Sequence, residues 1–131
     1  MRKIVIDTNI IISAAISQNG NPAKIINMIR ENDNIQLYYS AGILNEYKKV
    51  LSYERLKIVK ETQINILNEI ESTGILIELL ISDIPMPDES DRIFYDAAKT
   101  VNAYLITGNI KHYPDEPFIL TPAQFVEMLE N

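Results

Sequence analysis

The chain has 131 residues, 47% of them hydrophobic, enough for one domain to bury a substantial core without covalent staples. It contains no cysteine and a single histidine, His112, which excludes disulfide frameworks, thiol nucleophiles, cysteine-ligated zinc and histidine-rich metal sites. A net charge of −6 argues against a protein that grips nucleic acid mainly through a basic surface, though not against a nuclease whose carboxylates gather cations.

From the N-terminus, Ile4, Val5 and Ile6 predict a strand over residues 3–7 that closes on a carboxylate, Asp7, followed by Thr8 and Asn9. Arg2 and Lys3 precede this run as in a signal peptide, but Asp7 and Asn9 interrupt the apolar stretch such a peptide requires. No other run approaches the roughly 18–20 residues of a membrane span, so the chain reads as soluble and cytoplasmic. Burying an isolated carboxylate is costly. Asp7 therefore either caps the next helix and meets solvent, or holds a ligand.

A short helix is expected to follow, and then a second one with Asn21 as N-cap, Pro22 as first helical residue and Ile25, Ile26 and Ile29 inward. Residues 35–39 read as the second strand. Ser40 then caps a helix whose stripe is Ile43, Leu44, Tyr47, Val50 and Leu51, with Glu46 projecting beside that stripe rather than opposite it. Lys48, Lys49, Arg55, Lys57 and Lys60 crowd one short segment, as either a solvated face or an RNA-contact strip. A helix over 62–73 turns Leu67 and Ile70 inward and ends at Gly74, which suits a left-handed C-cap.

Residues 75–81 form the third predicted strand, and PMPDESDRIFYDAAKTV a proline-bounded loop and a helix with Phe94, Ala97, Ala98 and Val101 inward. Asp91 shares that inward side, Asp96 is rotated toward solvent, and Asp88 precedes the helix. Strands over 103–107 and 118–120 follow, and Thr121-Pro-Ala-Gln124 reads as a capping box for a last helix. Five strands alternating with helices make an α/β chain with a central parallel sheet of four to five strands.

Sites in such sheets form beyond the carboxyl ends of the strands. Asp7 ends the first strand and Asn109 follows the fourth, after Gly108, a residue suited to close approach or an unusual turn. Glu46 and Asp91 enter from helices at the same rim. Four oxygen donors without cysteine or histidine select Mg²⁺ or Mn²⁺ over zinc, and such ions activate water for phosphodiester displacement.

The series IVIDTNII, Glu46-Tyr47, PDESDRIFYDAA and YLITGNIKHYP resembles the PIN-domain family of nucleases along nearly the whole chain, most of all its bacterial and archaeal toxin–antitoxin members. The resemblance implies a three-layer α/β/α sandwich spanning residues 1–131 as one domain, and Mg²⁺- or Mn²⁺-dependent cleavage of RNA. Carried over by position, Asp7, Glu46 and Asp91 are the catalytic acids, and Asn109 stands where an aspartate is common. Thr8, Asn9, Asp88 and Thr107 support them, while Lys49, Arg55, Lys57 and His112 are candidate RNA contacts. A small antitoxin partner and a homodimer are implied as well. The competing expectation is a PIN fold without catalysis, acting as an RNA-binding or protein-interaction module. A haloacid-dehalogenase phosphatase would need an aspartate where Asn9 stands, a response-regulator receiver a phospho-acceptor aspartate closing a central strand, and a P-loop clustered glycines.

Overall fold

The computed structural model describes residues 1–130. Its elements run β1 (Arg2–Ile6), α1 (Thr8–Ile16), α2 (Asn21–Glu31), β2 (Ile35–Tyr39), α3 (Ala41–Leu51), α4 (Lys60–Thr73), β3 (Ile75–Leu76), α5 (Arg92–Val101), β4 (Tyr104–Ile106), β5 (Ile119–Leu120) and α6 (Pro122–Glu130). The five strands form one parallel sheet in the order β3-β2-β1-β4-β5. Ile4, Val5 and Ile6 point to alternate faces yet all are 0% exposed, so helices cover both sides of the sheet centre.

Strand order proceeds outward from β1 through β2 to β3, then reverses to β4 and β5 on the other side. The reversal between β1 and β4 is a topological switch point, where the connections leave in opposite directions and open a crevice.

Local signals explain most boundaries. Ser40 Oγ accepts from Ile43 N at 3.2 Å, capping α3. Thr121 and Gln124 exchange both bonds of a capping box, at 2.9 and 3.1 Å, before α6. Asn21 is not the cap of α2: it is the first helical residue, Gly20 takes the cap position, and the cap has no side-chain bond. The fourth helix starts at Lys60 and buries Ile66 and Ile70, leaving Leu67 only partly covered.

Three further expectations are corrected. Gly74 has φ −87°, not a left-handed value; it is small because an added Cβ would lie 2.7 Å from the Ile70 carbonyl and 2.8 Å from the Tyr39 ring. The left-handed C-cap occurs at Asn102, φ 58°, after α5. The strand expected over 75–81 shrinks to two residues because the chain beyond it turns to α5 for hydrogen-bond partners. Leu80 N donates to Thr100 Oγ1, Ser82 N to Asp96 Oδ2, and Arg92 donates to the carbonyls of Ser82 and Ile84. Arg92, Asp96 and Thr100 are spaced four apart, a single stripe on α5. Asp96, expected in solvent, is therefore 1% exposed, with Ser82 Oγ donating to its second oxygen at 2.5 Å.

Candidate active site

Asp7 and Thr107 follow adjacent strands at the switch point, and Asp7 N donates to the Ile106 carbonyl at 3.0 Å. Asp7 occupies the N-cap position of α1, yet its side chain caps nothing. Instead its Oδ2 accepts two hydroxyl bonds, from Thr107 Oγ1 and Tyr113 OH, each 2.8 Å. Thr107 Oγ1 itself accepts from Asn109 N at 3.0 Å, which commits its single proton to Asp7. Burial first, and the charge of Asp7 second, push the Tyr113 hydroxyl far above its ordinary range, so it stays a donor. No donor among the described residues reaches Asp7 Oδ1, although the residue as a whole is only 6% exposed.

The neighbouring groups fix this corner. Tyr47, fully buried in α3, donates its hydroxyl to the Ile6 carbonyl and pins the end of β1. Asn9 Oδ1 accepts from Gly108 N at 3.2 Å, tying the first turn of α1 to the loop after β4. Gly108 has no positive φ, and a Cβ there would meet Asn9 at an ordinary 3.6 Å; it needs neither the close approach nor the unusual turn expected of it. Thr8 Oγ1 is buried without a partner.

Asp91 ends a single 3₁₀ turn, Glu89–Asp91, and leads into α5. Its side chain is 15% exposed, and its Oδ2 is buried with no hydrogen bond. His112 Nδ1 stands 3.5 Å away, too far for a good bond. Burial, then the negative charges of Asp7 and Asp88, raise the Asp91 carboxyl to about 6, with His112 opposing. Asp88 is exposed and caps the 3₁₀ turn, accepting from Ser90 N and Oγ at 3.0 and 2.8 Å, which hold its carboxyl below the usual range. On α3, Glu46 lies 3.3 Å from Lys49 Nζ.

An open cleft of about 500 Å³ brings together Asp7, Thr8, Asn9, Glu46, Arg55 and Asp91. Asp88, Thr107, Lys49, Lys57, Asn109 and His112 do not line it, though Thr107, Lys49 and His112 each touch one of its acids. Asn109 is exposed and reaches the site only through its backbone N–H on Thr107. Among the described residues, no three acidic or histidine side chains are grouped closely enough to enclose a metal ion, and Glu46 faces Lys49.

Two of the acids nonetheless fit a divalent cation. A buried carboxylate oxygen without a hydrogen bond, its pKa raised first by burial and then by a second carboxylate, is short of positive charge. The all-oxygen donors suit Mg²⁺ or Mn²⁺. Sequence reasoning overlooked Tyr113 as a donor and Tyr53 as a cleft residue. Only the aromatic beside His112 in KHYP hinted at the first, and its reach depends on the 3₁₀ turn Ile110–His112.

Fold and cleft together define an α/β protein with an acidic crevice at the switch point of a parallel sheet. Residues 3–111 match the family model of the PIN domain, and the chain belongs to that family. PIN domains are generally nucleases that use divalent metal ions. The chain is 36% identical over 110 residues to the uncharacterized protein MJ1680 of Methanocaldococcus jannaschii, a match covering 82% of this chain and 70% of the relative. Its fold is similar to PAE2754 from Pyrobaculum aerophilum (TM-score 0.65, 13% identity, 98% of this chain and 90% of that one). It is also similar to VapBC2 from Rickettsia felis bound to a DNA fragment from their promoter (TM-score 0.59, 18% identity, 91% and 96%). No described helix is long and apolar enough to cross a membrane.

Proposed function

We propose that the chain is a single-domain Mg²⁺- or Mn²⁺-dependent endoribonuclease, the toxin of a toxin–antitoxin pair. The observation that carries the reading is the buried Asp91 Oδ2 beside Asp7 at the switch point, which has no hydrogen bond and only His112 Nδ1 at 3.5 Å. Asp7 through Oδ1, Asp91 and Glu46 would hold the ion, Glu46 exchanging Lys49 for it. When bound, the ion supplies a water of lowered pKa and charge stabilisation for the phosphodiester oxygens.

The chain's own residues prepare that chemistry. Thr107 and Tyr113 occupy Oδ2 of Asp7 and orient Oδ1 toward the cleft. Tyr47 and Asn9 keep the ends of β1 and β4 in register with α3 and α1. Thr8 keeps an unspent hydroxyl in the cleft wall. Asp88 holds the turn that presents Asp91. Lys49, Arg55 and Lys57 are the cations, and His112 a further contact, offered to RNA around this mouth, and Asn109, without charge, leaves the fourth position weak for a second ion.

Likeness to VapBC2, a complex bound to DNA from their promoter, supports an antitoxin partner. A homodimer and a cytoplasmic location belong to the same reading. The ion pair of Glu46 with Lys49 and the exposure of Asn109 favour one second reading, a PIN fold that binds RNA without cutting it. Purified protein incubated with a mixed RNA pool separates them. The nuclease cuts with Mn²⁺, stops with EDTA and is silenced by Asp7→Asn; RNA left intact with Mn²⁺ at every pH sinks it.

A further inference from the structure

The cleft holds three carboxylates, yet its ligand in the reading above is a polyanion. Among its lining residues Arg55 is the one cation and Tyr53 the one aromatic with a polar edge. The guanidinium carbon lies 5.1 Å from the centre of the Tyr53 ring, a cation–π pair that orders the arginine before any ligand arrives. No carboxylate among the described residues pairs with Arg55, so its donors remain available.

The backbone beneath the pair is stiff. Tyr53 N donates to the Val50 carbonyl at 3.1 Å, and the 3₁₀ turn Glu54–Leu56 returns Leu56 N to Tyr53 O at 3.1 Å. Lys57 closes the turn in the left-handed region, φ 54°, an uncommon conformation for a residue other than glycine. Two side chains, two residues apart on this turn, are thus held over one end of a cleft whose volume, about 500 Å³, admits a single nucleotide.

We propose that Tyr53 and Arg55 form a nucleotide-gripping subsite, the ring packing an unpaired base and the guanidinium forking onto an adjoining phosphate. This rests on the nuclease reading for its ligand, but not on cleavage. The pair supplies the attraction that the acidic cleft otherwise denies to a phosphodiester strand. Because the ring orders the guanidinium, the two act as a unit.

The test is fluorescence anisotropy of a labelled single-stranded oligoribonucleotide in Ca²⁺ buffer, with its deoxy counterpart and a duplex of the same sequence as further arms. Arg55→Ala and Tyr53→Leu each weaken binding of either single strand by roughly tenfold. Their combination weakens it by less than the product of the two, Tyr53→Phe retains most affinity, and duplex binding changes little. Lys24→Ala, on α2 and paired with Glu130, serves as the surface-charge control. Thermal unfolding confirms that each variant is folded. Losses no larger than that of Lys24→Ala, equal losses on duplex, strictly multiplicative losses, or no strand binding by the parent chain would each overturn the subsite. Strand binding with this pattern but no cleavage in Mn²⁺ defeats the nuclease reading alone; cleavage with KM unchanged in both variants defeats the subsite alone.

Discussion

Two aspartates five residues apart, Asp91 and Asp96, flank the first turn of α5 and live in opposite circumstances. Asp96 is 1% exposed and satisfied: Ser82 N and Ser82 Oγ supply both its oxygens, and the result is a latch holding the 77–87 segment against the helix. Asp91 is 15% exposed and lacks a hydrogen bond at one buried oxygen, its neighbours being the carboxylates of Asp7 and Asp88 and, 3.5 Å away, His112 Nδ1. Burial alone therefore does not mark a functional acid. In the proposed nuclease, what distinguishes Asp91 is a buried oxygen without a hydrogen bond, open to a cation.

The sharpest way to break this contrast is to neutralise each in turn. Asp91→Asn is expected to lower Mn²⁺-dependent RNA cleavage by more than about a hundredfold. In the metal-free protein at neutral pH the same change raises the thermal midpoint, because it removes an uncompensated charge. Asp96→Ala does the reverse, costing about 3 kcal/mol in urea unfolding by stranding the Ser82 donors. Should Asp96→Ala leave stability intact while abolishing cleavage, the two roles would have to be exchanged.

A smaller effect is expected at the other acid. Thr107→Val removes one of the two donors to Asp7 Oδ2 at nearly constant volume, and Mn²⁺ affinity measured by calorimetry should fall roughly tenfold. The smallest effect is in pH. The Asp91 carboxyl sits at about 6 when folded, above its ordinary value of 3.8. A raised carboxyl contributes stability that is present below the unfolded pKa and lost as pH climbs through the folded one. The metal-free thermal midpoint should thus drift down between about pH 4 and pH 7, and Asp91→Asn should flatten that drift.

Much of the architecture was legible because local and tertiary preferences agree. The Ile4–Ile6 run is buried on both faces, Ser40 caps where its position said it would, and Thr121 with Gln124 closes its box. Asp7, Glu46 and Asp91 also fall on one cleft, since helix phase and strand ends are properties of short stretches. The failures are tertiary. Helix phase turned Asp96 to the side away from the sheet, but not into solvent, because residues 77–87 fold back across it. The outer strand ended early for the same reason: Asp96 and Thr100 accept from its backbone N–H groups and Arg92 donates to its carbonyls, in place of another strand. Gly74 was read as a backbone conformation when its cause is the Tyr39 ring. Tyr113 bonds Asp7 across 106 residues, a pairing no local pattern encodes.

In the proposed nuclease, Asp7 and Asp91 share a divalent ion at the β1–β4 switch point. Anomalous scattering from crystals soaked in Mn²⁺ tests it most directly. A peak within ligand distance of both Asp7 and Asp91, lost in Asp91→Asn crystals, is expected. Saturating Mn²⁺ that leaves no peak there, or one that persists in that variant, would contradict it.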